Sequence, residues 1–518
     1  MTWNYDRSKE RIQTHLDGMG EIDIQKLKRE ADLEELLSET QCREIFGAHV
    51  YFQVANFATL ASRSTDDALE VKRMIQAVHV YQREVSRIVE RSDLFNGVRV
   101  HFQGAKLHAL FYRPIDDDEE LACRAVLLQL VLRDFVSSVF NPAFSDVDDF
   151  RVAGGCDLGD VIGTQNGVRG DRELLFVGAP ANHAAKIIGP SGNLRLTVSV
   201  HDTLPDDLSD LASKVEGLDG EVYQLGGLTQ QGLDDLCSEH GIAWDREESR
   251  ERVDEDRRNY PLEAIGFGDA DDLIDIDALA ISYSKRVLAA SIFADVSGFT
   301  AYVDAAQTDT RKREALRVFH ALRKEFAQVL TNDYNGVRVQ FQGDRIQAFF
   351  HLPKGDEPAI ARKVLKAAVG VQSSMEKSLK DCLPEAGPLS VAIGVDMGTT
   401  LVSKLGSRGA RDRICLGDAV ESAAAIEERI GGTQIGLSAA VYNGLTEEQR
   451  KLFDWDKRAR SYVATGLTAE KLERAEEARA YASSAPVFLS SAAGGGIRIS
   501  SQGSQSGRSV LAAGSYAG

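Results

Sequence analysis

Little in this 518-residue sequence could brace a fold covalently or hold a soft metal. Six cysteines, Cys42, Cys123, Cys156, Cys237, Cys382 and Cys415, are scattered without a Cys-x-x-Cys pair, so they read as reduced thiols and not as a disulfide framework or zinc site. No apolar run approaches the ~20 residues that cross a bilayer. The N-terminus, MTWNYDRSKERIQTHL, is charged and lacks an apolar signal-peptide core. Positive charge is also short: 60 Lys and Arg face 79 Asp and Glu, a net charge of −19. That balance argues against a nonspecific nucleic-acid surface but leaves room for a small anionic substrate held by local cations or metals. The expected location is the cytoplasm.

The rest is ordinary globular composition, 43% hydrophobic and 27% charged, with length enough for two or three domains. The chain repeats itself. NGVRVHFQGAKLHALFY, from Asn96, returns as NGVRVQFQGDRIQAFF, from Asn335, and the same 239-residue shift pairs Gly155–Gly159 with Gly394–Gly398, Gly178 with Gly417, and Gly227-Leu228-Thr229 with Gly466-Leu467-Thr468. Upstream, HVYFQVANFA from His49 matches SIFADVSGFT from Ser291. This period is far too long for a solenoid and marks a duplicated domain.

Each copy reads as a strand, a long helix, two strands joined by a tight turn, a second helix, further strands and a third helix. Leu316, Phe319, Leu322 and Phe326 fall at helical spacing within a stretch of about 308–333. The order predicts an α+β sandwich, helices on one face of a mostly antiparallel sheet. Five segments are expected: a helical extension over 1–45 packing on the first domain, domains over 46–240 and 288–485, a charged linker over 241–287, and a disordered tail over 486–518.

The copies differ where chemistry would sit. In the second, Asp295 ends the strand IFAD and Asp344 occupies the strand turn. Two carboxylates at adjacent strand ends suit hard divalent cations, Mg²⁺ or Mn²⁺, completed by phosphate. Between them the backbone of Val296–Thr300, entering a helix, offers N–H groups for phosphates. A strand-end Asp is more often structural than catalytic, so the combination carries the weight.

FADVSGFT, then Gly343-Asp344, IGVDMGTT and LGDAVESAA, resembles the class III nucleotidyl cyclase domain over about 288–472, with an echo over 47–233. The resemblance implies a ferredoxin-like core and an active site at a domain interface. It assigns Asp295 and Asp344 to two metal ions, Phe299 and Thr300 to the substrate-binding turn, and Arg408 to the triphosphate. The family's transition-state pair is Asn and, four residues on, Arg. The second copy has Glu421 and Ala425 there, whereas the first has Asn182 and Lys186 but Gln53 and Ala105 at the metal positions. Such complementary loss implies one active interface and one dead one within an intramolecular pseudo-heterodimer, against a background alternative of general decay. Lys186 keeps the cation and loses the planar fork of arginine.

In purine-specific members two positions of the metal-free domain read the base. Here they are His101 and Leu175, which match neither the adenylate nor the guanylate pair. His101 also reads as a plain strand histidine. A purine code is thus absent, and the chain resembles the pyrimidine cyclases of Pycsar antiphage systems, whose product activates a separate effector. UTP, giving 3′,5′-cyclic UMP, is favoured over CTP. Two alternatives stay open: an adenylate cyclase whose base-reading residues have drifted, and a catalytically silent nucleotide-binding regulator.

Overall fold

A computed structural model describes residues 2–63, 67–166, 173–218, 220–407 and 409–484. The expected tail, 486–518, and Arg408 lie outside the described residues.

Both copies form the α+β domain expected from the sequence. In the first, strands Val98–Gln103, Lys106–Phe111, Gln41–Val54 and Val152–Asn166 lie side by side in that order; in the second the order is Val337–Gln342, Arg345–Phe350, Ser284–Ser297 and Ser390–Ser407. These neighbours pair antiparallel. Helices Ala68–Glu90 and Asp118–Asp134 cross over in the first copy, Asp309–Gln328 and Glu357–Ser373 in the second. This βαββαβ pattern is ferredoxin-like. The stripe Leu316, Phe319, Leu322 and Phe326 is at most 2% exposed, so apolar burial fixes helix Asp309–Gln328, and Thr308 caps its start by accepting from the Arg311 N–H.

The turn glycines are a backbone requirement. Gly104 and Gly343 have φ of +63° and +70°, a region that side chains with a Cβ avoid. The Asp-for-Ala difference therefore sits on the same turn in both copies.

The duplication extends further than the sequence reading recognised. Trp3-Asn4 through Ile12 and Trp244-Asp245 through Val253 correspond at a shift of 241, and both open a helix, Tyr5–Gly18 and Arg246–Asn259, capped by Asn4 and Asp245. Each helix packs on the other copy's domain. Trp3 Nε1 donates to Ser374 Oγ at 2.7 Å, and Trp244 Nε1 to Asp134 Oδ2 at 2.9 Å. Ser8 Oγ donates to Glu325 at 2.6 Å; Ser249 Oγ donates to Glu84 at 2.8 Å. Arg11 and Arg252 bind those same carboxylates. The N-terminal helix thus packs on the second domain, not on the first as expected, because Ile12 and Leu16 on it and Trp3 and Met19 flanking it join the second domain's core. The segment after it returns to the first domain: Asp23–Lys26 pairs in parallel with Gln41–Glu44, and Leu27, Leu33 and Leu37 pack with Ile45, Leu110 and Val161. The stretch expected as a linker is helical over Arg246–Asn259, with its charges spent on ion pairs such as Asp256 to Arg83 and Arg87.

Two long hairpins complete the exchange. Leu401, Leu405, Ile414 and Leu416 of the second domain enter the first domain's core, while Ile162, Leu175 and Val177 of the first enter the second's.

Candidate active site

Strand register brings the carboxylates together. Ala294 faces Ile346, so Asp295, one residue further on its strand, and Asp344, two residues back on the other, meet at one end of the sheet. Burial and the neighbouring Asp295 carboxylate hold the Asp344 carboxyl well above its usual range. Asp295 is also raised, mainly by burial, with Arg345 and Lys186 partly offsetting the effect. Two carboxylates that each disfavour the other's charge form an electrostatic sink for a dication. Among the described residues no three His, Cys, Asp or Glu side chains form a closed metal cage. The donor set fits Mg²⁺ or Mn²⁺ finished by water and phosphate oxygens, which such ions accept, and not a structural metal.

The first domain supplies the opposite wall. Helix Ala179–Lys186 points Asn182 across the interface, where Nδ2 donates to Thr300 Oγ1 at 3.1 Å. The i and i+4 spacing puts Lys186 on the same helix face. Asn182, Lys186, His101, Leu175, Asp295 and Gly343 all line a single cavity of about 640 Å³. Thr300, on helix Phe299–Asp304, meets the cavity through Asn182, while Phe299 is 5% exposed and stacks on Phe319 at 5.1 Å. Phe299 is therefore a packing residue that places the turn. The helix has only six residues, so its dipole adds little to phosphate binding.

The pseudosymmetric interface holds a smaller cavity of about 270 Å³, lined by Gln53, Ala105, Phe293, Gln340 and Glu421. It has neither the paired aspartates nor an Asn–Lys pair.

On the first domain's wall of the cavity, His101 Nε2 lies 2.9 Å from Gln103 Nε2, so the ring nitrogen accepts from that amide. Burial holds the imidazole near pKa 3, so it stays neutral and keeps Nδ1–H as a donor. Leu175 is 6% exposed and does double duty as cavity wall and second-domain core. Sequence reasoning missed several lining residues. Tyr51 stacks on His108 with ring centroids 4.3 Å apart, and His108 Nε2 meets His49 Nδ1 at 3.0 Å. Arg345, next to Asp344, pairs with Glu427 at 2.8 Å; burial and nearby Asp295 still push Glu427 up to about 8. The signal for Tyr51 was available: it lies two residues before Gln53 on one strand, hence on the same face.

Residues 283–475 match the adenylate and guanylate cyclase catalytic domain. The chain is 27% identical to a uridylate cyclase of Pseudomonas aeruginosa over 510 residues, 94% of this chain and 96% of that protein. It is 28% identical to a uridylate cyclase of a Rhizobium species over 457 residues, 82% of each chain. The crystal structure of a class III adenylyl cyclase-like ATP-binding protein from Pseudomonas aeruginosa superposes with a TM-score of 0.78 at 25% identity, covering 92% of this chain and 99% of that one. No described helix is long and apolar enough to cross a membrane.

Proposed function

We propose, from the class III nucleotide cyclase domain this chain carries, that it cyclises a pyrimidine nucleoside triphosphate, UTP, to 3′,5′-cyclic UMP with release of pyrophosphate. One observation carries the reading: Asn182 and Lys186 of one domain line a common cavity with Asp295 and Gly343 of the other. A single chain then supplies both halves of one site.

The roles follow from chemistry. Asp295 and Asp344 would hold the metal ions, which would neutralise phosphate charge and make the ribose 3′-hydroxyl more acidic. Asn182 orients the ribose through its amide. Lys186 offsets charge that develops on the α-phosphoryl group during in-line attack. The family resemblance assigns Arg408 to the triphosphate, and Thr300 belongs to the turn that follows Asp295. His101 and Leu175 face the base. A neutral His101 donor suits a carbonyl of uracil, and apolar Leu175 gives no partner to a purine edge. The two relatives named uridylate cyclase support this choice. Following the Pycsar resemblance, the product would be a second messenger for a separate antiphage effector.

The structural neighbour described as ATP-binding favours a second reading, adenylate cyclisation. The test is to incubate the purified chain with ATP, GTP, CTP and UTP separately, with Mn²⁺, and identify cyclic products. Cyclic UMP is expected. Cyclic AMP without a pyrimidine product would replace the first reading with the second, and no product from any nucleotide would leave a silent regulator.

A further inference from the structure

The turn that carries Asp344 is held from below by a buried cation. Arg323, on helix Asp309–Gln328, is 2% exposed, and its Nη1 donates to the Gly343 carbonyl oxygen at 2.6 Å. Its guanidinium lies over the Phe341 ring at 3.8 Å, which fixes its plane. The first domain has the same device without charge: Gln82 Nε2 donates to the Gly104 carbonyl at 2.8 Å. The copy that bears aspartates thus uses arginine, and the copy that lacks them uses glutamine.

A buried guanidinium beside a cation site would repel the metal unless it is itself paired. The partner comes from the other domain. Glu173 pairs with Arg323 Nη2 and, through its second oxygen, with Arg338 Nη1 at 2.9 Å. Glu173 opens strand Glu173–Val177, two residues before Leu175. One carboxylate therefore joins the base-facing strand of the first domain to the aspartate turn of the second. The duplication mirrors only half of this link: Asp412 and Arg99, the counterparts of Glu173 and Arg338, pair at 2.7 Å, but the Arg323 position in the first copy is neutral Gln82.

We propose that Arg323 and Glu173 are positioning residues for the metal clamp: Arg323 fixes the Gly343-Asp344 turn, and Glu173 cancels its charge from across the interface. The inference rests on the cyclase reading of Asp295 and Asp344. It makes metal affinity a property of the paired domains, and it couples the metal turn to the strand that meets the base, so that each site's occupancy biases the other.

The test measures Mn²⁺ binding to the full chain by the loss of the free-ion paramagnetic signal, with 3′-deoxy-UTP present, alongside thermal unfolding. The wild type should bind Mn²⁺, and Asp344→Asn should lose it; if the wild type binds none, the metal reading and this proposal fall together. Given that control, Glu173→Gln and Arg323→Met should each weaken Mn²⁺ binding about tenfold, the scale for partners that orient metal ligands. Gln82→Met, which removes the equivalent bond in the metal-free copy, should leave Mn²⁺ binding unchanged. The double variant Arg323→Gln/Glu173→Gln, which installs the neutral hold of the first copy, should recover most of the affinity. Wild-type Mn²⁺ binding by both Glu173→Gln and Arg323→Met, with Asp344→Asn still defective, would overturn the proposal and leave the metal reading standing. An equal loss in Gln82→Met would also overturn it, because the effect would then be general loosening.

Discussion

Asn182 of the first domain donates its side-chain N–H to Thr300 Oγ1 of the second at 3.1 Å. The amide is thereby held at the interface before any nucleotide arrives, one helical turn from Lys186 and facing the cavity that Asp295 lines. Preorganisation of this kind lowers the cost of orienting a ribose. Asn182→Ala should therefore reduce kcat about 100-fold with a smaller effect on KM, measured by steady-state cyclisation. Lys186→Met should do the same, whereas Lys186→Arg, which restores the fork and keeps the charge, should retain activity.

The unequal cavities make a second prediction. Asp344→Ala removes half of the carboxylate pair and should abolish cyclisation. Glu421→Ala alters only the smaller cavity, which holds Gln53 and Ala105, and should leave most of the activity. Assays of the two variants at matched thermal stability distinguish one site from two.

The domain repeat, its strand order and the carboxylate turn were legible because the copies keep one register from Asn96 and Asn335 onward, where long buried strands tolerate no insertion. The arms were not. Trp3 and Trp244 correspond at a shift of 241 and not 239, and their helices share few identities beyond Ser8/Ser249, Glu10/Glu251 and Arg11/Arg252. Composition alone made Arg246–Asn259 look like a solvated linker, since its charges pair with residues such as Arg83 and Arg87 that are more than 150 positions away. The cavity wall around His101 was half legible. His101 was found, but Tyr51 and His108 contribute through ring stacking that no local pattern announces.

Those arms carry a stability prediction. Arg11 bridges Glu325 and Asp333, which are 2% and 3% exposed. Arg11→Met would leave Glu325 with the Ser8 and Ser374 hydroxyls, while Asp333 keeps Arg7, at a cost of about 3 kcal/mol. Arg252→Met would take one of two arginines from Glu84, which is fully buried and keeps Arg87 and the Ser249 hydroxyl, at a smaller cost. Denaturant unfolding should show both losses. Because each arm serves the domain of the other copy, either variant should also lower cyclase activity at temperatures below its own unfolding midpoint.

Acid should loosen the interface through His79. Its Nδ1 accepts the Gly406 N–H at 3.1 Å, tying the second domain's long hairpin to a helix of the first. The acceptor exists only in the neutral ring, and burial, aided by Arg83 and other nearby arginines, lowers the pKa to about 3. His49, His101 and His320 are likewise held near 3. The unfolded chain binds protons near pH 6.5 and the folded chain does not, so this contribution to stability is complete above pH 6.5. It is lost as pH falls toward 3, by up to about 1.4 kcal/mol per pH unit for each group. Thermal unfolding midpoints should accordingly drop between pH 6.5 and 5. His79→Gln removes one such group. Its midpoint should start lower at pH 7.5 and fall less steeply than the wild type's. A slope that does not change would remove His79 from the account of the acid response.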